Sequence, residues 1–390
     1  MPLLIFLLII SHSLYADVDF QKLSITESHH PAKNTFVFWI NGDSNRFRPL
    51  RSNEKKQVRI DTLDAARIED YAKQCQCNVI IYHDQRGKDK IFNNRKHFGS
   101  YVKVYSNSKN LKINRKRKLY TKEMTQTSDE ISGLLSFARR SFPQSNLHLV
   151  FRGHSFAHSL IDGKNNDFDY SEKNSHFHLN ELMNAIEMAR VKLATITFAA
   201  CSMSNISFAL KLRDYTQYMI ASQVDIYESG DTGFNFSFLK NINNSISIQE
   251  IAKLIQTSSL QNFETIKDKK AYLLETPMSL INLSLLRGVF SEEDELLSIL
   301  EEFSQESFNY CKIEKNISNR FIIEQNISPE RAEVMNKLFS IKSMNQDYDL
   351  ICLLEENHFD LEAAYLKTLV EVHSSSVMSV KHGISVDLTF

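Results

Sequence analysis

Short runs of almost wholly apolar residues recur along this chain, separated by stretches in which apolar residues recur at helical spacing. Runs without polar alternation are typical of strands that are covered on both faces. The predicted strands are Thr35–Asn41, Asn78–His83, Leu147–Arg152, Ala194–Ala200, Tyr218–Ser222 and Met278–Leu283. Helices between such strands form crossover connections, so the pattern predicts an α/β fold with a mostly parallel sheet.

The stretches between these strands have apolar residues three and four positions apart, which marks the buried face of a helix. The stripes are Ile68, Tyr71, Ala72 and Cys75; Ile131, Leu134, Leu135 and Ala138; Leu179, Leu182, Met183 and Ile186; and Ile206, Ala209 and Leu210. A capping box of Thr127 and Glu130 and an N-cap at Asn205 are predicted to begin two of these helices. Another helix is predicted from Ser291 to about Phe303, opening a mainly helical region.

The N-terminal sequence has the pattern of an export signal. An apolar run from Pro2 to Ile10 is followed by a small residue, Ala16, which predicts a signal peptide cleaved after Ala16. The alternative is a buried first strand or a hydrophobic N-terminal helix. The predicted parts are a signal peptide (1–16), a lead segment (17–34), an α/β core (35–285) and a mainly helical region packed on it (286–390). We therefore expect a secreted or periplasmic protein.

The charge balance argues against a nucleic-acid partner. The chain has 46 basic and 47 acidic residues and a formal net charge of −1, whereas nucleic-acid-binding domains are usually strongly basic. After the first sixteen residues no run approaches the ~20 apolar residues that span a bilayer, so we expect no stable membrane insertion. The basic stretch Lys112–Lys118 is predicted to be a solvated loop or hairpin.

Five cysteines cannot all pair within one chain, so at least one thiol is predicted to be free. The closely spaced metal-ligating side chains are Cys75 and Cys77, His29 and His30, and His176 and His178. Each pair is isolated in the sequence, so no metal site is predicted. The single residue between Cys75 and Cys77 is expected to make a disulfide between them awkward.

His154 and Cys201 each follow the end of a predicted strand, and 47 positions separate them. Reacting groups gather at the carboxyl ends of parallel strands. A nearby imidazole favours the thiolate, as does the start of the helix at Asn205. The separation is close to the ~50-residue His-to-Cys spacing of caspases. This arrangement predicts a cysteine nucleophile with a histidine partner; the alternative is a small buried cysteine and a loop histidine.

Five blocks of the sequence carry a resemblance to a known family. They are Val37–Asn45 (VFWINGDSN), His148–Ser155 (HLVFRGHS), Thr197–Gln223 (TFAACSMSNISFALKLRDYTQYMIASQ), Met278–Leu286 (MSLINLSLL) and His382–Phe390 (HGISVDLTF). In this order they resemble the clostripain family, cysteine peptidases of the caspase-like clan. The resemblance implies a three-layer caspase-like sandwich and a secreted thiol protease that hydrolyses proteins or peptides.

The same resemblance implies roles for individual residues. Cys201 would be the nucleophile and His154 its partner, and the backbone N–H groups of Ser155 and Cys201 would form the oxyanion hole. The implied substrate-binding residues are Ala199, Ser222, Gln223 and Asp225. The resemblance also names calcium as a candidate cofactor, although the residues themselves indicate none.

Two residues depart from the family's pattern. Ser155 stands where the family usually has glycine, and Ala199 stands where it usually has an aspartate associated with specificity for arginine or lysine. Because Ala199 supplies no charge, we expect a preference for a smaller or uncharged residue. The acids that could replace the missing carboxylate are Asp225, Glu228 and Asp231.

Two other functions remain open from the sequence. Gly153–Ala157 (GHSFA) also matches the nucleophile elbow of α/β-hydrolases, in which Ser155 would attack an ester. Asp225 with His358 or His382 could then complete a triad, but the elbow must turn straight into a helix, whereas Phe156–Asp169 has the composition of a loop. The other alternative is a non-catalytic relative that acts as a secreted interaction protein.

Overall fold

The structure is a computed structural model that describes most of the predicted core. The described residues are 20, 23–28, 31–42, 47–49, 57–85, 101–113, 128–153, 159–161, 177–200, 203–223, 234–261, 278–288, 290, 293–303, 307, 311, 347–373 and 385–387. The predicted signal peptide, the histidine pair His29–His30, the cap residue Thr127 and most of the basic stretch lie outside them.

The strands have the following bounds. They are β1 (Asn34–Gly42), β2 (Phe47–Pro49), β3 (Gln57–Arg59), β4 (Asn78–Gln85), β5 (Tyr101–Ser106), β6 (Lys109–Leu111), β7 (Asn146–Arg152), β8 (Ser159–Ile161), β9 (Phe177–His178), β10 (Leu193–Ala199), β11 (Thr216–Ala221), β12 (Met278–Asn282), β13 (Asp347–Asp349), β14 (Val370–His373) and β15 (Ser385–Asp387). Each of the six predicted strands is present, with ends shifted by at most two residues.

The α-helices have the following bounds. They are α1 (Ile60–Ala72), α2 (Ser128–Ser141), α3 (Leu179–Ala189), α4 (Ile206–Leu212), α5 (Ile248–Gln261), α6 (Glu293–Glu301), α7 (Leu350–Glu356) and α8 (Asp360–Leu369). Two 3₁₀ helices cover Ser237–Asn241 and Leu283–Gly288. The four predicted stripes lie on α1 to α4, except that Cys75 lies just past the end of α1.

The main sheet has nine strands in the order β14, β12, β11, β10, β7, β1, β4, β5, β6. The five central strands, from β11 to β4, run parallel. Two antiparallel strands flank them on each side. The prediction of a mostly parallel sheet is therefore confirmed, and the carboxyl ends of these five strands lie at the same edge of the sheet.

Helices cover both faces of this sheet. One apolar cluster joins alternate strand residues such as Val37 and Trp39 to α2, α3, α4 and the C-terminal helices α7 and α8. A second cluster joins the intervening residues, such as Phe36 and Phe38, to α1 and α5. Because successive strand residues point to opposite faces, strands buried on both sides must be apolar throughout. The predicted three-layer sandwich with a helical C-terminal part is confirmed.

The local sequence explains where α4 begins and where the chain turns between β5 and β6. The Asn205 side chain accepts a hydrogen bond from the Ser207 backbone N–H at 2.8 Å, so it caps α4 as predicted. Asn107 and Ser108 both have positive φ, 46° and 71°. Two such residues form the tight turn that joins the antiparallel strands β5 and β6. The hairpin thus turns before the basic stretch, of which Lys112 is described and exposed.

Four of the five cysteines form two disulfides, Cys75–Cys77 and Cys311–Cys352. The expectation that Cys75 and Cys77 would not readily bond was wrong. The chain bends between the end of α1 and the start of β4, which brings their Cα atoms to 5.2 Å, inside the usual disulfide range. Since these four pair with one another, none of them is a partner for Cys201.

The lead segment is anchored to the core by Phe20. Its ring meets the Tyr82 ring edge-on, with centroids 5.8 Å apart, and its carbonyl accepts from Arg140 Nη2 at 2.7 Å. A Cβ atom on Gly133 of α2 would come within 2.9 Å of this ring. The glycine therefore permits the close approach, and a residue only four positions past Ala16 already belongs to the buried core.

Candidate active site

The candidate site lies where β7 and β10 end side by side. These strands are parallel neighbours, and Arg152, the last residue of β7, is the register partner of Ala199, the last residue of β10. His154 follows the first strand end by two positions, and Cys201 follows the second by two. The predicted site residues His154, Ser155, Cys201 and Asp225, and the candidate acids Glu228 and Asp231, themselves lie outside the described residues.

The chain on both sides of Cys201 is described at this edge. Ala200 before it and Met203 after it are buried in the same apolar cluster. The Ser204 backbone N–H donates to the Ser222 carbonyl oxygen at 2.8 Å, which ties the segment after Cys201 to the end of β11. The segment then enters α4 through the Asn205 cap. The chain immediately before and after Cys201 is therefore held at the carboxyl edge of the sheet.

A buried ion pair lies directly beneath the two strand ends. Arg152 Nε donates to Asp64 Oδ2 of α1 at 2.6 Å, and the two side chains are 6% and 1% exposed. Arg152 Nη1 also lies 3.4 Å from the carbonyl oxygens of both Gly153 and Ala199. Arg67, one helical turn from Asp64, adds a second cation 3.7 Å from the same carboxylate. Among the side chains that the structure describes here, two cations thus lie around the Asp64 carboxylate.

Three predicted substrate-binding residues are described, and their side chains are buried. Ala199 packs in the apolar cluster on the α1 side of the sheet, and Ser222, the residue after β11, is fully buried. Gln223 Nε2 donates to Asp349 Oδ2 at 3.0 Å, so its side chain is held by the C-terminal region. Substrate contact at these positions stays a prediction.

Sequence reasoning did not identify Arg152 and Asp64 as partners. Two signals were present in the sequence. Arg152 is a charged residue that ends an otherwise apolar strand, and Asp64 lies four and eight positions before Ile68 and Ala72, on the buried stripe of α1. One residue is basic and the other acidic, and each lies in a pattern that predicts burial. Unpaired charges are rarely buried, so these two signals together indicate an ion pair.

The described residues also bear on metal binding and on membrane insertion. Within the described ranges, no group of three or more His, Cys, Asp and Glu side chains is arranged to hold a metal ion. None of the helices in that same part of the chain is long and apolar enough to cross a membrane.

A cleft of about 500 Å³ opens at the opposite edge of the sheet, where Asn146, Leu193 and Thr216 begin β7, β10 and β11. Ligands in parallel sheets bind at the carboxyl ends of the strands. We therefore do not assign this cleft to the candidate site.

Comparison with known proteins gives one family and several structures. The sequence profile of the clostripain family matches residues 61–386. A secreted C11 cysteine protease from Bacteroides thetaiotaomicron, solved in complex with an irreversible peptide inhibitor, has a TM-score of 0.56 at 13% identity over 92% of this chain and 93% of that chain. An inactive zymogen C11 protease from Parabacteroides distasonis has a TM-score of 0.52 at 14% identity over 93% of each chain. At these identities the structures show a shared fold. A search of curated proteins finds no match.

Proposed function

This chain belongs to the clostripain family of cysteine peptidases, and on that premise we propose that it is a secreted endopeptidase whose dyad is Cys201 and His154. The observation that carries the proposal is the pairing of Arg152 with Ala199 on neighbouring parallel strands. Two residues of chain span at most ~7 Å, and neighbouring strands lie ~4.8 Å apart. The proposal is supported because each of the two residues follows, by only two positions, one of two strand ends that lie side by side.

The proposed reaction begins with proton transfer from the Cys201 thiol to the His154 imidazole. The thiolate attacks the scissile carbonyl carbon, and the C=O electrons move onto oxygen. As this intermediate collapses, the C–N bond breaks and the imidazolium protonates the leaving amine. An acyl-enzyme remains on the sulfur. Water, deprotonated by His154, then attacks the thioester, releasing the carboxylate product and restoring the thiol.

The developing negative charge on oxygen needs hydrogen-bond donors that are already in position. We assign the backbone N–H groups of Ser155 and Cys201 to this role, because Ser155 directly follows His154 in the sequence and Cys201 is the proposed nucleophile itself. Protein groups and water suffice for every step. Calcium, which the family resemblance names, is tested by adding a chelator to the peptide assay.

The proposed specificity is for an uncharged residue before the scissile bond. Ala199 offers a methyl group where the family pattern has a carboxylate. The Ala199 carbonyl also faces the cationic Arg152 guanidinium at 3.4 Å. Both features disfavour a cationic substrate side chain at this position. Acids in the segment after β11, Asp225, Glu228 and Asp231, are the candidates that would reverse this preference.

The proposed secretion has support beyond the N-terminal signal. Two disulfides within the described chain suit an oxidising compartment, since such bonds are rare in the cytosol. Two of the structurally similar peptidases are themselves named as secreted.

A serine esterase has no comparable support. A nucleophile elbow at Ser155 would lead straight into a helix. The described residues Ser159–Ile161 instead form β8, an extended strand that pairs with β9. The thiol mechanism is therefore the one we propose.

The test is peptide hydrolysis by the purified chain and three variants. Cys201→Ala and His154→Ala should each abolish cleavage while the thermal midpoint stays close to that of the wild type, because neither change empties a large cavity. Ser155→Ala should retain cleavage. Cleavage by Cys201→Ala at the wild-type rate would contradict the proposal, and loss only in Ser155→Ala would support the esterase. Absence of hydrolysis in every chain would support the non-catalytic relative.

A further inference from the structure

We propose that Arg152, held by Asp64, is a positioning residue for the reaction proposed above: its guanidinium sets the spacing of the two strand ends that lead to His154 and Cys201. The inference rests on the proposed function, because it concerns the same dyad. It assigns a role to a buried ion pair whose two residues are not members of the dyad.

The Arg152 guanidinium contacts the Asp64 side chain and two main-chain carbonyls. Its Nε is anchored by the Asp64 carboxylate at 2.6 Å, while its Nη1 faces one carbonyl from each strand end at 3.4 Å. These two contacts are long for hydrogen bonds, so each is weak and the carboxylate supplies the anchor. One planar group thus joins α1, the end of β7 and the end of β10.

Fold stability alone does not account for a buried ion pair between Arg152 and Asp64. A buried ion pair seldom stabilises a fold more than well-packed apolar side chains would. The strand residues next to Arg152 on this face of the sheet, Ile40, Val150 and Ala199, are apolar and fully buried. An aliphatic side chain would suit them equally well. A guanidinium differs because its rigid, planar set of donors can hold several acceptors in fixed directions.

The two carbonyls that face Arg152 belong to residues just before the proposed dyad. Gly153 immediately precedes His154, and Ala199 lies two residues before Cys201. A shift of either strand end would change the distance between imidazole and sulfur. Misplacement by 1 Å can cost roughly 100-fold in rate, even when the altered residue does not touch the substrate. Arg152 is buried, so its loss should reduce kcat and leave KM nearly unchanged.

The test uses a double variant of the full chain, Arg152→Met with Asp64→Leu, which removes both charges and replaces them with apolar side chains. The matched control is Lys103→Met with Glu69→Leu. That pair joins the same helix, α1, to β5, the third strand from β7 in the sheet, at 2.5 Å, and its side chains are 33% and 17% exposed. The site double variant should lose roughly 30- to 100-fold in kcat with KM within about twofold. The control should stay within about twofold in both.

Arg152→Lys separates positioning from charge. Lysine keeps the charge opposite Asp64 but lacks the planar fork that faces both strand ends. It should therefore fail to restore kcat. Full activity in Arg152→Lys would overturn the inference. This single variant also keeps the inference testable if the double variant does not fold.

A second readout needs no peptide substrate. The rate at which iodoacetamide alkylates Cys201 is followed against pH by mass spectrometry of the peptide that contains it. Because the double variant removes one charge of each sign, a shift of its profile toward the ~8.5 of an ordinary thiol would report weaker coupling to His154. A profile equal to that of the control, with kcat also equal, would overturn the inference.

The outcomes separate the inference from the proposed function. Cleavage by the wild type that does not require Cys201 would overturn both. Cleavage that requires Cys201, together with a site double variant that matches the control, would overturn the positioning role alone.

Discussion

At the residue scale, His148 is a titratable side chain held entirely inside the sandwich. Its ring stacks on Phe36 with centroids 4.6 Å apart, and its nitrogens contact Thr195 Oγ1 at 3.0 Å and Asn34 Oδ1 at 3.3 Å. A neutral ring protonated on Nε2 donates to Asn34 and accepts from the Thr195 hydroxyl, satisfying both contacts. Burial lowers the pKa of His148 to about 3.

This pKa predicts a loss of stability in acid. The unfolded chain binds a proton at His148 near pH 6.5, whereas the folded chain stays neutral until about pH 3, so stability falls as pH drops through that window. Between pH 7 and 4.5 the wild type should lose about 2–3 kcal/mol more unfolding free energy than His148→Gln. Urea unfolding at both pH values measures the difference. Equal losses in the two proteins would contradict the prediction.

Ala199 is the residue on which the proposed specificity depends. Ala199→Asp introduces a carboxylate where the family pattern has one, and hydrogen bonds to charged groups contribute about 1.5–3 kcal/mol. Turnover of arginine and lysine substrates should rise roughly ten- to hundredfold relative to uncharged ones. A positional-scanning peptide library measures this, with Ala199→Asn as the uncharged control. Strict arginine or lysine selectivity in the wild type that survives replacement of Asp225, Glu228 and Asp231 would refute the account.

At the element scale, the C-terminal helix α7 is fastened to the core at its first turn. Asp349 Oδ1 caps the helix by accepting from the Cys352 backbone N–H at 2.9 Å, while Oδ2 accepts from Gln223 at the end of β11. Cys352 forms the disulfide with Cys311. The cap, the amide contact and the disulfide thus converge on one turn of helix beside the candidate site.

The two disulfides should differ in their contribution to stability. The Cys311–Cys352 bond spans 41 positions and should restrict the unfolded chain by about 4 kcal/mol, whereas Cys75–Cys77 spans only two and should contribute less than half of that. We expect the Cys311→Ala/Cys352→Ala double variant to unfold at a clearly lower urea concentration than Cys75→Ala/Cys77→Ala. All four side chains are buried, so the second variant is a matched control. Equal midpoints would contradict this loop-closure argument.

At the scale of the whole molecule, the buried position of Phe20 limits where the mature chain can begin. We predict that the exported protein starts near Asp17, because cleavage after Ala16 leaves the Phe20 anchor attached to the core. N-terminal sequencing of protein from the medium or periplasm of an exporting bacterial host measures this. Leu7→Arg, which interrupts the apolar run, should retain the product inside the cell. A cytosolic wild-type product that keeps Met1 would contradict the prediction.

Several features of this protein were predictable from the sequence alone. Apolar runs such as Leu147–Arg152 determine strands that must be covered on both faces, and apolar residues at helical spacing determine the crossover helices. The order of these elements implies a parallel sheet, and Asn205 marks the start of α4. These signals are readable because each depends on residues close together in the chain. The family resemblance was confirmed by the profile match as well.

Other features were decided only by the tertiary structure. Arg152 and Asp64 are 88 positions apart, and Gln223 and Asp349 are 126 apart. The Cys75–Cys77 bond, against expectation, depends on how the chain bends from α1 into β4. Pairing of buried charges depends on which distant elements pack together, and no local pattern encodes that choice. Burial makes such pairing obligatory, because a lone charge or amide in the core would lose its hydration without replacement.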